Sequence, residues 1–472
     1  MKYTTVIGLE IHAEMLTHSK VFCGCTAEFG GEENTRVCPL CSGMPGTLPV
    51  FNRGAAELAV RAGLALGCHI NNYSAFDRKN YFYPDLPKAY QITQFAHPIC
   101  TDGGVDIGEK TVRINRIHIE EDAGKLIHDE NENVSLADYN RCGVPLIEIV
   151  TEPDIRSAEE ARAFVEQVAL RLKYAGVCDA KMEQGSLRCD VNISIMPEGS
   201  KEFGTRTEIK NLNSLRSIVR AIEYEYERQA DLLESGEPVI QQTLHFNDAT
   251  GTTKALRSKE EAHDYRYFPE PDIPPVLLTD ADIAAIRDAM PEMPAQRGER
   301  YRTVYGLNDA DAALLISDKA LSDFFEAAVS RYDNPKSIAS MILVELLRRM
   351  NDAGITAEEL NILPEDLAAL CQMADEGTVS RGAAKDILRE MFEVGGKPME
   401  IAERGGMIMS NDTGAVEAAV DEVLAANPKA VAEYQAGSQK VFGFLMGQTC
   451  KKLGKSANPA MIKSVLEQKL KA

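Results

Sequence analysis

Four segments of this chain alternate polar and apolar residues with a period of two, and their polar members are unusual for a solvent-facing sheet. In Gly8-Leu-Glu-Ile-His-Ala-Glu14, Glu10, His12 and Glu14 fall on one face, with Leu9, Ile11 and Ala13 on the other. The same period gathers Arg116, His118, Glu120 and Asp122 in 112–122, and Arg188, Asp190, Asn192 and Ser194 in 187–195. It also gathers Arg206, Glu208 and Lys210 in 204–210. Strands of this kind bury one face and leave the other open, which predicts a mostly antiparallel sheet. Exposed faces usually favour Thr, Lys and Glu. His and Asp beside Arg and Asn on several strands predict a concave site. Clustered carboxylates with a His suit Mg²⁺, which bridges nucleotide phosphates, and nearby Lys and Arg would neutralise charge on a transferred phosphoryl group.

A chain of 472 residues exceeds what one core supports, so two or three domains are expected. Up to about residue 290 it reads as strands and turns with a few helices, at 54–67, 157–175 and 215–235. After Pro291-Glu-Met-Pro294 the pattern is helical throughout, and Glu403-Arg-Gly-Gly406 and Asp412-Thr-Gly414 punctuate a second break. The expected division is 1–290, 291–404 and 405–472. No apolar run approaches the ~20 residues of a membrane span. Strand pattern from Tyr3 onward leaves no room for a leader, so a cytoplasmic protein without membrane contact is expected.

Three further features bear on ligands. Phe76 to Gln91 crowds Arg78, Lys79, Lys88, Tyr81, Tyr83 and two prolines, Pro84 and Pro87, into sixteen residues. It reads as a constrained loop holding out basic and aromatic groups for a nucleotide or a nucleic-acid end, or else as an ordinary surface loop over packed tyrosines. Cys23-x-Cys25, twelve residues on Cys38-x2-Cys41, has the spacing of a tetrahedral structural zinc site, against four reduced thiols in a turn-rich region. Net charge is −21, yet residues 439–472 carry +6, including Lys440, Lys451, Lys452 and Lys455, so the remainder carries −27. Such an end can find phosphates while the acidic body repels random RNA, or it is a solvated helical tail. There is no G-x-x-x-x-G-K-[ST] loop, no G-x-G-x-x-G turn opening a helix and no lipase-type elbow, so any use of ATP follows another design.

The Phe76–Gln91 segment resembles, almost letter for letter, a signature of the B subunit of the glutamyl-tRNA(Gln)/aspartyl-tRNA(Asn) amidotransferases, the GatB family. Further matching stretches follow in the family's order: 8–14, 115–125, 138–154, 182–192, 204–213 and 263–272. The resemblance implies an α+β fold, with an N-terminal cradle on a mostly antiparallel sheet, an all-α domain, and a small helical tail similar to the YqeY family. It implies ATP-dependent transamidation of Glu-tRNA(Gln) or Asp-tRNA(Asn), with Mg²⁺, in a heterotrimer with a glutaminase (the amidase-type A subunit) and a small C subunit. The alternative is a non-catalytic, tRNA-binding scaffold subunit. By matching motif, Glu10, His12, Glu121 and Glu148 are implied as the first metal-site residues, with Glu120, Asp190 and Glu208 next. Simple alternation puts Glu121 on the face opposite Glu120, so its inclusion requires a bulge near Asp122. Arg78, Lys79, Tyr81, Tyr83, Lys88, Lys125, Arg141 and Lys210 are implied for phosphate and tRNA-end contacts. Leu244, His245 and Phe246 follow Thr243 where the family usually shows Arg and often Trp, which leaves no guanidinium at 244.

Overall fold

The computed structural model describes residues 2–129, 134–258, 265–409, 413–435, 438–454 and 458–471. The chain divides into two compact units, Met1–Pro294 and Ala295–Ala472. Strands of the first unit are, in chain order, β1 (Tyr3–Glu14), β2 (His69–Ile70), β3 (Tyr73–Asn80), β4 (Tyr90–His97), β5 (Cys100–Asp106) and β6 (Thr111–Glu121). They continue as β7 (Lys125–Asp129), β8 (Val134–Asp138), β9 (Pro145–Thr151), β10 (Leu187–Pro197), β11 (Thr207–Leu212), β12 (Gln242–Asn247) and β13 (Thr252–Ser258). Two short strands, β14 (Phe268–Pro269) and β15 (Val276–Leu277), complete the set.

Nine of these form one sheet in the order β13-β12-β11-β10-β1-β9-β6-β5-β2, antiparallel at each pairing except β11–β12. The alternation read from the sequence is the burial pattern observed. In β1, Leu9, Ile11 and Ala13 are buried while Glu10, His12 and Glu14 are only partly so. The apolar face is closed by α1 (Arg53–Ala65), α2 (Ala158–Tyr174) and α3 (Leu215–Ser235), whose Val60, Phe164, Leu172 and Ile218 share one core with Ile11, Ile119, Ile149 and Val191. Each helix begins on a side-chain cap, Asn52, Ser157 and Ser214 respectively, and α3 ends on Gly236 at φ +81°. With helices on one side only, the other face stays available for chemistry.

Over that open face lies the β3–β4 hairpin, flanked on β3 by β14 and β15. Gln94 accepts from the Ile119 amide at 3.0 Å, and Gln91 donates to the Glu121 carbonyl at 2.7 Å, so the hairpin is hydrogen-bonded to β6. This corrects the reading of 76–91 as one loop. Phe76, Arg78 and Lys79 belong to β3, Phe76 is in the core, and the connection is confined to the residues around Pro84 and Pro87. The two prolines break regular structure only in that connection, and β3 ends at Asn80 before them. The turn at Gly43, with φ +72°, packs on this connection so closely that a Cβ would stand 2.6 Å from the Pro87 carbonyl oxygen.

The second unit is helical from Pro294–Thr303 to Pro459–Lys471, with one isolated bridge, Val379 to Ile408, among its described residues. Its buried apolar residues form two clusters. One runs from Tyr301 to Met407; the other joins Val416, Val420 and Val423 to Leu445, Ile462, Leu466 and Leu470. No described helix is long and apolar enough to cross a membrane.

Candidate functional site

Register places the polar face residues against one another. Glu148 on β9 is the cross-strand partner of His12 on β1 on one side and of His118 on β6 on the other. Its Oε2 lies 3.5 Å from His12 Nε2 and 3.2 Å from His118 Nε2, and Glu120 Oε1 stands 3.7 Å from His12 Nε2. His12, Glu120 and Glu148 thus bring one ligand atom each within 4.8 Å of one another, close enough to share a metal ion. A second group converges as closely. Glu10 is paired with Asp190 on β10, and Glu208 of β11 completes the three. Lys210 Nζ bridges two of them, at 2.5 Å from Asp190 Oδ2 and 2.8 Å from Glu208 Oε1, while Asn192 donates to Glu10 at 2.9 Å. The first group and, from the second, Glu10 and Glu208 line a cavity of about 300 Å³, together with Lys79, Arg116, Tyr265 and Tyr267.

The electrostatics describe a site that asks for a cation. Burial pushes the Glu10 carboxyl up, and the carboxylates of Glu148, Glu208 and Asp190 push it the same way. Burial alone would lower the His118 imidazole, but the Glu148 charge facing it lifts it to about 9. Burial likewise opposes charge on His12, and its hydrogen bond to Glu148 together with the Glu148, Glu120 and Asp190 charges overcomes that. Glu148 itself is held well below the usual carboxylate range: burial would raise it, and the charges and hydrogen bonds of His118 and His12 together outweigh burial. Lys79 is kept charged against burial by Glu120, and it stands 4.9 Å from the Tyr265 ring centre. An oxygen-rich, part-protonated cluster of this kind fits a hard divalent ion.

Of the residues singled out from the sequence, the structure brings Glu10, His12, Glu120, Glu148, Glu208, Lys79 and Lys210 to this cavity, with Asp190 beside it against Glu10, Glu208 and Lys210. Glu121 is placed elsewhere. The β6–β9 register runs evenly from Ile117 to Glu121, its irregularity lying back at Ile114/Arg116, so no bulge turns Glu121 inward. Its carboxylate instead holds Lys88 and accepts from the Ile92 amide. Lys88 is therefore spent on Glu121, and Arg78 on Glu270 and Asp272, with Arg78 Nε 2.6 Å from Glu270 Oε2. Arg141 donates to the Ala123 and Gly124 carbonyls, and Lys125 is exposed on β7. Tyr81 meets the Tyr265 ring edge-on, and Tyr83 is exposed in the connection. Leu244 is buried in the sheet core. Lys440, Lys451 and Lys452 are exposed, with Lys452 paired to Glu422, and Lys455 lies outside the described residues. Alternation already puts His118 on the polar face, although the motif match leaves it out of the ligands. Tyr267, stacked on Phe95 with centroids 4.3 Å apart, lies in the matching stretch 263–272, which is its only signal in the sequence.

The four cysteines Cys23, Cys25, Cys38 and Cys41 also converge, their sulfurs within 4.8 Å of one another, and can hold a metal ion. All eleven cysteines are free of disulfides. Cys41 is the natural first thiolate: the Cys23 thiol donating to it lowers its pKa to about 4 despite burial. Lys20, whose side chain is wholly buried, reaches Cys41 Sγ at 3.6 Å and the Arg36 carbonyl at 2.8 Å.

Comparison with known proteins decides the family. Residues 5–284 match the GatB/GatE catalytic domain, and residues 323–470 match the GatB domain. The chain belongs to the GatB family. Among its relatives, the B subunit of the aspartyl/glutamyl-tRNA(Asn/Gln) amidotransferase of Ruminiclostridium cellulolyticum is 55% identical, covering 100% of this chain and 98% of that protein. Those of Caldicellulosiruptor saccharolyticus and Oleidesulfovibrio alaskensis are 52% and 50% identical, over 100% and 99% of this chain and 99% of each relative. The match to the GatB/GatE catalytic domain spans both carboxylate groups and the four cysteines.

One member of the GatB-type polar face carries a test of its own. Burial first, and then the Asp122 carboxylate, push Glu14 from 4.5 up to about 7. A raised acid binds its proton more tightly folded than unfolded, so stability is full below pH 4.5 and is lost as pH rises to 7. Glu14→Gln removes that loss. The thermal midpoint of the N-terminal unit should be higher in the variant at pH 8, by about 2–4 °C for each kcal/mol relieved. The difference should vanish at pH 4, and a constant offset at both pH values would exclude this origin.

Proposed function

We propose that this chain is the carboxylate-activating subunit of a tRNA-dependent amidotransferase, acting on Glu-tRNA(Gln) or Asp-tRNA(Asn) with ATP. The observation that carries this reading is the pair of donor groups, His12/Glu120/Glu148 and Glu10/Asp190/Glu208, of which all but Asp190 line one cavity with Lys79, Arg116 and Lys210. A carboxylate oxygen is a poor leaving group. In the proposed step an oxygen of the substrate carboxylate attacks the γ-phosphorus, the bond to the β-phosphate oxygen breaks, and ADP departs. Ammonia then adds to the acyl phosphate carbon, and inorganic phosphate leaves with the electron pair of the cleaved C–O bond and takes up the proton that the added nitrogen sheds. Lys79, Arg116 and Lys210 stand where negative charge builds on the transferred group. His12, Glu120, Glu148, Glu10, Asp190 and Glu208 would hold Mg²⁺, which when bound screens the phosphates and polarises the phosphorus.

Ammonia turns to ammonium in open water, so it must come through a sheltered path from a partner. The relatives are named as the B member of their amidotransferases, which supports assembly with a glutaminase, the A subunit, together with a small C subunit, in the cytoplasm where charged tRNA is made. Cys23, Cys25, Cys38 and Cys41 are proposed to hold a structural zinc, with the buried Lys20 balancing thiolate charge. The site then braces the Gly43 turn against the Pro87–Lys88 connection. The terminal helices, with exposed Lys440 and Lys451, are proposed to hold the body of the tRNA.

Four measurements test these assignments. Reconstituted with both partners, ATP, glutamine and Glu-tRNA(Gln), the chain should yield Gln-tRNA(Gln). Glu10→Ala or His12→Ala should abolish tRNA-dependent ATP hydrolysis and leave glutamine hydrolysis by the partner intact. Unimpaired transamidation would favour the scaffold reading. Protein from zinc-replete cells should contain about one zinc per chain, since a tetrahedral thiolate site uses all four ligands; well under half an equivalent would leave four reduced thiols. Deleting 413–472 removes the terminal core and spares Met407 of the preceding one. It should raise the KM for Glu-tRNA(Gln) and flatten its salt dependence, by roughly 0.7–0.9 in log–log slope per lost phosphate contact. Loss of kcat at unchanged KM would instead place this segment in the assembly of the active site.

A further inference from the structure

The β3–β4 hairpin over the open face is irregular at one point. Ala75 pairs with His97 and Asp77 with Thr93, so the single residue Phe76 stands opposite Gln94, Phe95 and Ala96. A bulge of this kind re-aims side chains and leaves amides without ladder partners. Here the Phe95 and Ala96 amides both donate to Oδ2 of the buried Asp77, at 2.9 and 3.1 Å. Gln94 is wholly buried and turns inward, its side-chain nitrogen donating to the Ser74 hydroxyl at 2.6 Å while its oxygen accepts from β6. Phe95 turns the other way and is 57% exposed.

The bulge is thus locked by two buried polar side chains, and it delivers an aromatic ring to the wall of the 300 Å³ cavity. There the Phe95 ring lies nearly parallel to Tyr267, the planes 13° apart. Tyr267 meets Tyr265 edge-on, with centroids 6.1 Å apart. Their segment is tied to β3 by Asn80, whose amide donates to the Tyr265 carbonyl and whose side chain donates to the Arg266 carbonyl, both at 2.9 Å. One face of Phe95 is covered by Tyr267, so its exposure belongs mainly to the other. Two parallel rings, anchored from behind and bare in front, form a platform for a third flat ring.

We propose that the Phe95–Tyr267 pair stacks the base of the 3′-terminal nucleotide of the charged tRNA. This rests on the transamidation reading above and adds what holds the end of that substrate. The amino acid is esterified to the terminal ribose, and its side-chain carboxylate lies only a short aliphatic chain beyond the ester carbonyl. A carboxylate brought to the His12/Glu120/Glu148 group therefore carries the terminal base to the wall of the same cavity. Phe95 stands on that side, because its hairpin is bonded to β6, which bears His118 and Glu120, whereas Asp190 and Glu208 lie beyond β1 on β10 and β11. The base of ATP, held off from the transferred phosphorus by a ribose and the α- and β-phosphates, is under no such constraint. Stacking is also tolerant of sequence, which suits an end common to Glu-tRNA(Gln) and Asp-tRNA(Asn).

The test uses tRNA(Gln) with 2-aminopurine in place of its terminal adenine, uncharged and without ATP, so that it reads the base alone. In the assembled complex stacking should quench its fluorescence. The quenching should be lost in Phe95→Ala and kept in Phe95→Tyr. Phe95→Ala should also lower kcat/KM for Glu-tRNA(Gln) about tenfold, in line with the loss of one stacked base, with the KM for ATP unchanged. Phe95→Tyr should restore it. The ring is exposed, so the thermal midpoint should hold in both variants. Absence of quenching in the unaltered complex, or quenching that persists in Phe95→Ala, would overturn the inference. So would a raised KM for ATP with an unchanged kcat/KM for the charged tRNA, which would assign the platform to ATP. The fluorescence arm needs no chemistry, so it stands or falls apart from the Glu10 and His12 variants that test the activation reading.

Discussion

The polar face depends on the antiparallel register of β1 with β9 and β10. That register sets Glu10 opposite Asp190 and His12 opposite Glu148, so acids that lie far apart in the chain become neighbours. Like charges facing each other across a ladder oppose folding. The sheet tolerates them because its other face buries Leu9, Ile11, Ile149 and Val191 against helices, and because Lys210, Asn192 and two imidazoles are interleaved with the acids. The apolar side thus supplies the stability that the functional side gives up.

The end of β6 sorts two adjacent acids to different work. Glu120 turns to the cavity, while Glu121 turns beneath the hairpin connection, where Lys88 and the Ile92 amide consume its charge. Lys88 follows Pro87, whose carbonyl packs against Gly43 in the turn after Cys41. A chain of close contacts therefore links the cysteine cluster to the strand carrying the site. Gly43 is required at both ends of that argument, since its φ is +72° and a Cβ would strike Pro87.

Much of this was legible beforehand. Period-two alternation identifies the open face and most of its candidate ligands, and helical spacing gives the helices at 54–67, 157–175 and 215–235 to within a few residues of the ends that the Asn52, Ser157 and Ser214 caps set. The cysteine spacing sufficed to pick out the four converging sulfurs. What the sequence does not resolve is where β3 ends: the prolines at 84 and 87 make all of 76–91 read as a loop, although Phe76 to Asn80 are strand. Basic residues near a site also look alike in sequence: Arg78, Lys88 and Arg141 are held by protein partners, whereas Lys79 and Lys210 face the cavity.

Local chemistry is written in the order of residues: which positions alternate, where helices start, which cysteines are near in the chain. Hence the sequence by itself determined the sheet with one reactive face, the helical second half and the candidate metal ligands. Only the tertiary structure decided which strands became neighbours, that Glu148 sits between two histidines from different strands, that Glu121 is excluded, and that β4 carries Phe95 out against Tyr267. Each of these depends on pairing between segments scores of residues apart. No period within a single strand encodes its partner's register, because that is set by how all the apolar faces share one core.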